Sequence, residues 1–419
     1  MNHQEVFAHV DKQEDYLVDV LRKIIAVDTS VPPGENYSLL LDLVEPEFKK
    51  FGFQTQRILM PEDKVGQISG GLSGPRPNLA ARRDNGRPRV SVYAHMDVVP
   101  VDEPWTRDSF GGEVLEGKLY GRGAVDMKGS IACFLGAMKV LTESGIEPQF
   151  SIDALLCTDE ELGVYPGARF LAEEGYFSSH ILWLELGAID PVQIIGAAGA
   201  LKAELTAMGK SCHSGANFLG VNAVEEMIPI LEELMALKRT VEQKTSRIPA
   251  FPLPGRPSDQ MTPMFNLNII RGGTKDNIVP GECRLTINRR YIVEENPRDV
   301  AAEIEAAVKR GLKRSRLVDL KMDCRLLYPP VEINAQSRAA EKMRAAVKAV
   351  LGHDQFIYGG LGGSTDLGFV LQTLGPENVE VAFFGLLRAA DIRAHAADEF
   401  VYVEDLKTLT KELVHYLAF

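Results

Sequence analysis

Three uninterrupted apolar runs, with helical patterns between them, constrain the fold of this chain most strongly. The runs "VSVYA", "FSIDALLC" and "ILWLEL" are short and continuous, which is typical of strands buried on both faces. Apolar residues recur at helical spacing over residues 130–141 and 167–174. Strands that alternate with helices predict an α/β domain built on a largely parallel sheet.

The pattern changes after about residue 195, where a second unit begins. The predicted order there is strand, helix, strand, strand, helix, strand, which is typical of a ferredoxin-like α+β unit. A Pro-rich stretch within it, "IPAFPLPGRP", is interpreted as a surface loop. The α/β pattern then resumes with a helix over residues 335–351. We therefore predict one domain over residues 1–194 and 329–419, with an inserted domain over residues 195–328.

Charge and cysteine content restrict the function further. A chain of 419 residues favours two domains, and its net charge of -12 argues against nucleic acid or an anionic membrane as a partner. Its five cysteines are widely spaced without a Cys-x-x-Cys motif, which argues against a disulfide framework. The first residues lack the apolar segment of a secretion signal. These observations predict a soluble cytoplasmic protein that acts on a small molecule.

Acidic residues follow the predicted strands at the edge where α/β sheets bind ligands. Alone, each acid is typical of a solvated loop, and the His95-x-Asp97 pair is typical of a core histidine beside an acid. Together they form a group of carboxylates that would repel one another in a crevice, and the neighbouring Arg122 and Lys128 are too few to compensate them. One or two divalent cations would do so. The group comprises Asp97, Asp126, Glu160, Glu161 and Glu185, with His95 and His395 among them.

These residues, together with the motif "GRGAVDMKG", resemble the co-catalytic zinc hydrolases. That family includes glutamate carboxypeptidase, aminoacylase, acetylornithine deacetylase and succinyl-diaminopimelate desuccinylase. The similarity runs from about residue 78 to 403 and includes "CHSGANFLGVNA" and "GGTKDNIVPGE", which resemble the family's lid and dimerisation domain. The resemblance implies a zinc-peptidase-like three-layer catalytic domain with an inserted ferredoxin-like lid, and a homodimer formed through that lid.

The resemblance also implies roles for the acidic group. Asp126 would bridge two divalent metal ions, with His95 and Glu185 on one ion and Glu161 and His395 on the other. Asp97 would orient His95, and Glu160 would be the general base. Imidazole and carboxylate ligands suit zinc, with manganese or cobalt as alternatives.

The substrate residues implied by the family lie elsewhere in the chain. His213 would stabilise an oxyanion, in family members often from the partner subunit, and Asn277 and Arg290 would hold a substrate carboxylate. His213 is also consistent with an ordinary loop histidine, and Arg290 with an ion-paired strand residue. The stretch "GGLGGSTD" lacks the Gly-Lys-Ser/Thr of a phosphate loop, so we interpret it as a backbone wall with Ser364 and Thr365 facing the substrate.

The sequence therefore predicts a metal-dependent amidohydrolase. Its substrate would be a small carboxylate-bearing amide, of the N-acyl amino acid or carboxypeptidase type, attacked by a metal-bridging hydroxide. Glutamate at position 185, where aminopeptidase and dipeptidase branches tend to have aspartate, favours this side of the family. One alternative is an aminohydrolase that acts on an aromatic amine or ureido C–N bond and releases ammonia. Another is a binding or scaffold protein without activity on the same fold.

Overall fold

The computed structural model of the chain describes residues 2–68, 70–185, 187–256, 258–388, 391 and 393–419. Up to residue 198 the chain forms the strands and helices of an α/β domain. Its helices are α1 (His3–Asp11), α2 (Glu14–Ile25), α3 (Tyr37–Lys50), α4 (Glu62–Val65), α5 (Lys128–Glu143) and α6 (Gly167–Glu173). Its strands are β1 (Gln54–Leu59), β2 (Pro77–Arg83), β3 (Arg89–His95), β4 (Val114–Leu115), β5 (Lys118–Tyr120), β6 (Ser151–Cys157), β7 (His180–Trp183) and β8 (Val192–Ala197).

An antiparallel sheet with two helices follows, and the chain then returns to the first domain. The inserted elements are β9 (Gly199–Met208), α7 (Ala223–Val241), β10 (Met264–Gly272), β11 (Glu282–Tyr291), α8 (Pro297–Leu312) and β12 (Asp319–Tyr328). The returning elements are β13 (Val331–Glu332), α9 (Arg338–Leu351), β14 (Ile357–Leu361), α10 (Leu367–Leu374), β15 (Glu380–Phe383), β16 (Phe400–Tyr402) and α11 (Val403–Ala418).

The large sheet has the strand order β1-β2-β6-β3-β7-β15, and β6, β3, β7 and β15 run parallel to one another. Every residue of β6 is buried, so the sheet is covered on both faces. Helix α5 is almost entirely buried and packs on α2 and α11. A Cβ on Gly136 would overlap the Leu17 side chain, so the glycine permits the close approach of α5 to α2. The predicted α/β layers are confirmed.

The inserted sheet has the order β10-β11-β9-β12 with antiparallel neighbours, which is the ferredoxin-like arrangement. We call residues 199–328 the lid. Its own core lies between this sheet and helices α7 and α8, with Met227, Ile230 and Ile304 buried. The predicted boundary between residues 194 and 195 falls inside β8, which pairs with β13 and β14. No helix formed by the residues described above is long and apolar enough to cross a membrane.

The interpretation of the Pro-rich stretch as a surface loop is wrong for its first half. Ile248 and Phe251 are buried, and Ala250 forms a parallel bridge with Gly360 of β14. Phe251 N donates to Gly360 O over 2.8 Å, and Gly360 N donates to Pro249 O over 2.7 Å. The apolar residues between the prolines thus extend the small sheet of the first domain, because they can bury surface there.

Candidate metal centre

The carboxyl ends of β3, β6 and β7 meet at one edge of the large sheet. His95 ends β3 and lies opposite Cys157, the last residue of β6. Asp159 follows with φ of 62°, a sharp turn that precedes Glu160 and Glu161. Glu185 comes two residues after β7. Because parallel strands end at the same edge, side chains distant in sequence converge there.

Asp126, just before helix α5, lies between two histidines. Its Oδ1 is 3.2 Å from Nε2 of His95, and its Oδ2 is 3.3 Å from Nε2 of His395. Nε2 of His395 is also 3.0 Å from Oε1 of Glu161. One carboxylate therefore shares its two oxygens between two imidazoles.

A second group of acids lies deeper. Ligand atoms of Glu160, Glu185 and Asp366 lie within 4.8 Å of one another, and all three residues are buried. Ligand atoms of His95, Glu160 and Glu161 also lie within 4.8 Å of one another, so Glu160 belongs to both groups. The two groups form one continuous cluster of carboxylates and imidazoles.

The acids of this cluster have raised pKa values because they are buried beside one another. Burial raises the pKa of Glu160 well above its ordinary value, and Glu185, Asp366 and Glu161 raise it further. The pKa of Glu185 rises to about 8 and that of Asp366 to about 7, both mainly through burial. Such carboxylates are costly to ionise without a compensating cation.

The two histidines also have raised pKa values, but neighbouring carboxylates and not burial are the cause. Burial lowers the pKa of His395, but its hydrogen bonds to Asp126 and Glu161 prevail and raise it to about 11. Burial also lowers the pKa of His95, while Asp126, Asp97 and Glu185 raise it to well above its ordinary value. Burial raises the pKa of Asp126, yet the two histidines hold it below its usual range. A bound cation would compete with these protons for the same lone pairs.

The donor set fits divalent cations. Oε1 of Glu160, Oδ1 of Asp97 and both carboxylate oxygens of Asp366 are buried and form no hydrogen bond with the described residues. Arg122 and Lys128 do not neutralise the cluster, because Arg122 pairs with Glu399 and Glu103, and Nζ of Lys128 donates to Val27 O. Imidazole and carboxylate donors with excess negative charge are what zinc, manganese and cobalt bind.

Two predicted contacts differ in the structure. Nδ1 of His95 lies 3.0 Å from the backbone oxygen of Asp97, whereas the Asp97 carboxylate is 3.7 Å away and instead accepts from Glu161 N. The expected carboxylate–imidazole hydrogen bond is thus replaced by a bond to the main chain of the same residue. Thr365, predicted to face the substrate, is fully buried instead, and its hydroxyl donates to Glu185 Oε2 over 2.8 Å.

The remaining predicted residues fall into two places. Nη1 of Arg290, at the end of β11, donates to Ser364 Oγ over 2.6 Å, so these two lie where the lid meets the first domain. His213 and Asn277 lie together on the lid, where Ser214 N donates to Asn277 O and His213 Nδ1 accepts from Gly215 N. No hydrogen bond found for either residue reaches the carboxylate cluster within the described part of the chain.

Sequence reasoning missed three acids that the structure places at or beside the cluster. Asp366 follows β14 just as the other acids follow their strands, so the same strand-end argument would have selected it. Asp159 is buried and accepts from the hydroxyl of Tyr37. Glu399 is buried and accepts from the backbone of Val125 and Asp126. Asp159 directly precedes Glu160 after β6, so the strand-end argument applies to it as well, whereas nothing in the sequence pattern distinguishes Glu399 from a solvated loop acid.

The fold and this donor set define a class of metal-dependent hydrolases, and comparison with known proteins specifies the family. The model of peptidase family M20/M25/M40 matches residues 91–418, so the chain belongs to that family and is a hydrolase. The succinyl-diaminopimelate desuccinylase of Gluconobacter oxydans is 31% identical over 353 residues, which cover 82% of this chain and 84% of the relative.

Two solved structures show the same fold. An M20 family metallo-carboxypeptidase from Sulfolobus solfataricus superposes with a TM-score of 0.79 at 18% identity, covering 96% of this chain and 98% of its own. A dinuclear metal binding peptidase of the M20 family from Bacillus subtilis superposes with a TM-score of 0.64 at 14% identity, covering 97% and 98% respectively.

Proposed function

We propose that this hydrolase cleaves the amide bond of a small carboxylate-bearing substrate, of the N-acyl amino acid or C-terminal amide type. The observation that carries the proposal is the Asp126 carboxylate, which shares its two oxygens between His95 and His395. The desuccinylase relative and the metallo-carboxypeptidase neighbour both act, by their names, on bonds of this kind. The carboxylate and imidazole donors support zinc as the metal, with manganese and cobalt as alternatives.

In this proposal two divalent ions are held by five residues. His95 and Glu185 would bind one ion, Glu161 and His395 the other, and Asp126 both. When bound, such ions supply Lewis acidity, which lowers the pKa of water and polarises the scissile carbonyl. Thr365 and Trp183 both donate to Oε2 of Glu185 and so restrict how that carboxylate turns.

Glu160 is the proposed general base. Its carboxylate is buried, its Oε1 has no hydrogen-bond partner among the described residues, and its pKa is raised. A raised pKa suits a group that takes a proton from the attacking water and then donates it to the leaving nitrogen. Arg290, which carries no acidic partner in the described structure, is proposed to hold the substrate carboxylate through its planar guanidinium.

We further propose a cytoplasmic homodimer that associates through the lid. His213 and Asn277 form no hydrogen bond with the cluster of their own chain among the described residues, so the proposed oxyanion role of His213 requires a partner subunit. Cys133, Cys157 and Cys283 are buried free thiols, which supports a reducing compartment.

The test is a substrate panel assayed with product identification. Protein loaded with zinc, manganese or cobalt should hydrolyse members of a panel of N-acyl amino acids and dipeptides, and removal of metal by a chelator should abolish turnover. Equimolar carboxylic acid and amine as products would support the proposal. Ammonia released from an aromatic amine or ureido compound would support the aminohydrolase alternative instead. A metal-loaded protein that turns over neither class would contradict both.

A further inference from the structure

Arg256 is an arginine of the Pro-rich segment that the proposed mechanism does not use. The segment is bound to β14 by the backbone hydrogen bond between Phe251 and Gly360, as described above. Nη1 of Arg256 donates to Phe251 O over 2.8 Å, and its backbone N–H donates to Leu253 O over 3.3 Å. The guanidinium is thus anchored to the first domain by the same residues that anchor the segment.

The Arg256 guanidinium lies beside the wall of the proposed substrate site. A Cβ placed on Gly362 would be 3.8 Å from Nη2 of Arg256. Gly362 and Gly363 lead directly into Ser364, which accepts the hydrogen bond from Arg290. A Cβ on Gly363 would contact nothing within 4 Å, so the wall borders open space. Arg256 and Arg290 therefore both lie beside the same short segment, residues 362–364.

Arg256 has no acidic partner among the residues that the structure describes. Its hydrogen bond to Phe251 O uses one of five guanidinium N–H groups. Burial lowers its pKa, and no neighbouring carboxylate opposes that effect. Other buried arginines of the chain are compensated by acids: Arg76 by Asp159 and Arg122 by Glu399. A half-buried guanidinium without a carboxylate, in a chain of net charge -12, has its donors available for an external anion.

We infer that Arg256 forms an anion subsite that takes a second carboxylate of the substrate, apart from the one proposed for Arg290. The inference rests on the proposed function and names its substrate class: amides that carry two separated carboxylates. The second carboxylate would lie at the far end of the acyl group or on the side chain of the amino acid.

Matched substrate pairs test the subsite. N-acetylglutamate is compared with N-acetylglutamine, and N-succinylalanine with the analogue whose succinyl carboxylate is an amide. The metal-loaded protein should show kcat/KM about 10- to 100-fold higher for the charged member of one pair, mainly through KM, as expected for one charge-assisted bidentate contact. The pair that shows the preference identifies which end of the substrate Arg256 meets.

Variants of Arg256 separate this role from a structural one. Arg256→Gln should remove the preference by lowering kcat/KM for the charged substrate alone, and Arg256→Lys should retain part of it. Arg247→Gln is the matched control, because Arg247 directly precedes the same segment but pairs with Glu294 and Glu332. If Arg256→Gln lowers kcat/KM for both members of a pair equally, or if the unaltered protein shows no preference, the subsite is refuted.

If no substrate in the panel is turned over, the proposed function is refuted but the anion subsite is not yet tested. A binding measurement then tests the subsite. Succinate and glutarate are titrated calorimetrically into the unaltered protein and into Arg256→Gln, with acetate as the monocarboxylate control. Dicarboxylate affinity should fall about tenfold or more in the variant while acetate affinity stays the same. Equal dicarboxylate affinity in the two proteins would overturn the subsite.

Discussion

Glu160 is buried beside four acids, and its Oε1 has no hydrogen-bond partner among the described residues. We expect Glu160→Gln to lower kcat by about 10²- to 10⁴-fold, because the amide cannot accept the proton of the attacking water. Metal content, measured by elemental analysis, should stay unchanged. Glu305→Gln, at an exposed glutamate of α8, is the control. Full activity of Glu160→Gln on a true substrate would exclude Glu160 as the base.

Asp126 and His395 should differ in how many ions their loss removes. Asp126→Ala deletes the shared donor, so we expect both ions to be lost, from about two equivalents to well below one. His395→Ala deletes a donor of one ion and should leave about one equivalent. Elemental analysis after dialysis against low free metal measures both. Two equivalents retained by Asp126→Ala would contradict the bridging assignment.

Among elements, the turn before α5 and the loop before β16 are joined by Glu399. Its Oε1 accepts from Val125 N over 2.9 Å and from Asp126 N over 3.3 Å, while Oε2 accepts from Arg122 Nη1. Arg122 also donates to Ala396 O, next to His395. Glu399, directly and through Arg122, therefore holds both the backbone of Asp126 and the loop that carries His395.

We expect Glu399→Ala to weaken metal binding by about 10- to 100-fold, the usual effect of removing a residue that orients a ligand. Glu399→Gln keeps one acceptor oxygen and should weaken it less. Chelator competition measures the affinity, and amide hydrogen exchange at Val125 and Asp126 should accelerate. Glu103→Gln, at the exposed end of the same ion-pair chain, is the control. Unchanged affinity and exchange in Glu399→Ala would refute the positioning role.

Helix α11 contains a buried acid that makes stability depend on pH. Burial raises the pKa of Glu412 to about 8, and Asp405 raises it further. Above the ordinary pKa of a glutamate, the unfolded state releases this proton while the native state keeps it. The free energy of unfolding is therefore greatest below that ordinary pKa and falls as pH rises through about 8.

Glu412→Gln should remove this dependence. The free energy of unfolding of the variant, relative to that of the unaltered protein, should rise by about 3 to 5 kcal/mol between pH 5 and pH 9, following the shift in pKa. Urea unfolding at several pH values measures the difference. Parallel pH profiles for the two proteins would contradict the prediction.

The elements that sequence reasoning found are those with strong periodicity. Helix α8 is the second helix predicted for the inserted unit, and its sequence is clear because Pro297 begins it and an apolar stripe follows. Strand β2 was missed because "PNLAARR" has neither alternation nor a continuous apolar run, although its first residues are buried beside β6. The burial of Phe251 could not be predicted either, because a tertiary contact with β14 causes it.

The part of the cluster that could be predicted from the sequence is the part that strand ends and family resemblance indicate. His95, Glu160 and Glu185 follow strands whose pattern is clear, so their convergence could be argued from topology. The burial of Thr365 against Glu185 and the main-chain partner of His95 depend on local backbone geometry that no pattern encodes. The same holds for Arg256, because a Pro-rich stretch does not show which strand it will meet.

For the complete assembly, the proposed dimer predicts complementation between two inactive variants. Glu160→Gln and His213→Ala should each be nearly inactive. After mixing and subunit exchange, half of the dimers are hybrids, and each hybrid has one intact site, so activity should recover to about a quarter of the unaltered level. Light scattering should give a dimer mass throughout. No recovery in a mixture that exchanges subunits would exclude action of His213 across the interface.

The hydroxyl of Tyr328, the last residue of β12, donates to the backbone oxygen of Glu160 over 2.5 Å, and Val164 N donates to Leu327 O over 2.8 Å. Tyr291, which ends β11, donates in turn to Tyr328 O. Any rotation of the lid that preserves these bonds must move Glu160, the proposed base, with it. In the proposed mechanism, opening of the lid and orientation of the base are therefore mechanically coupled.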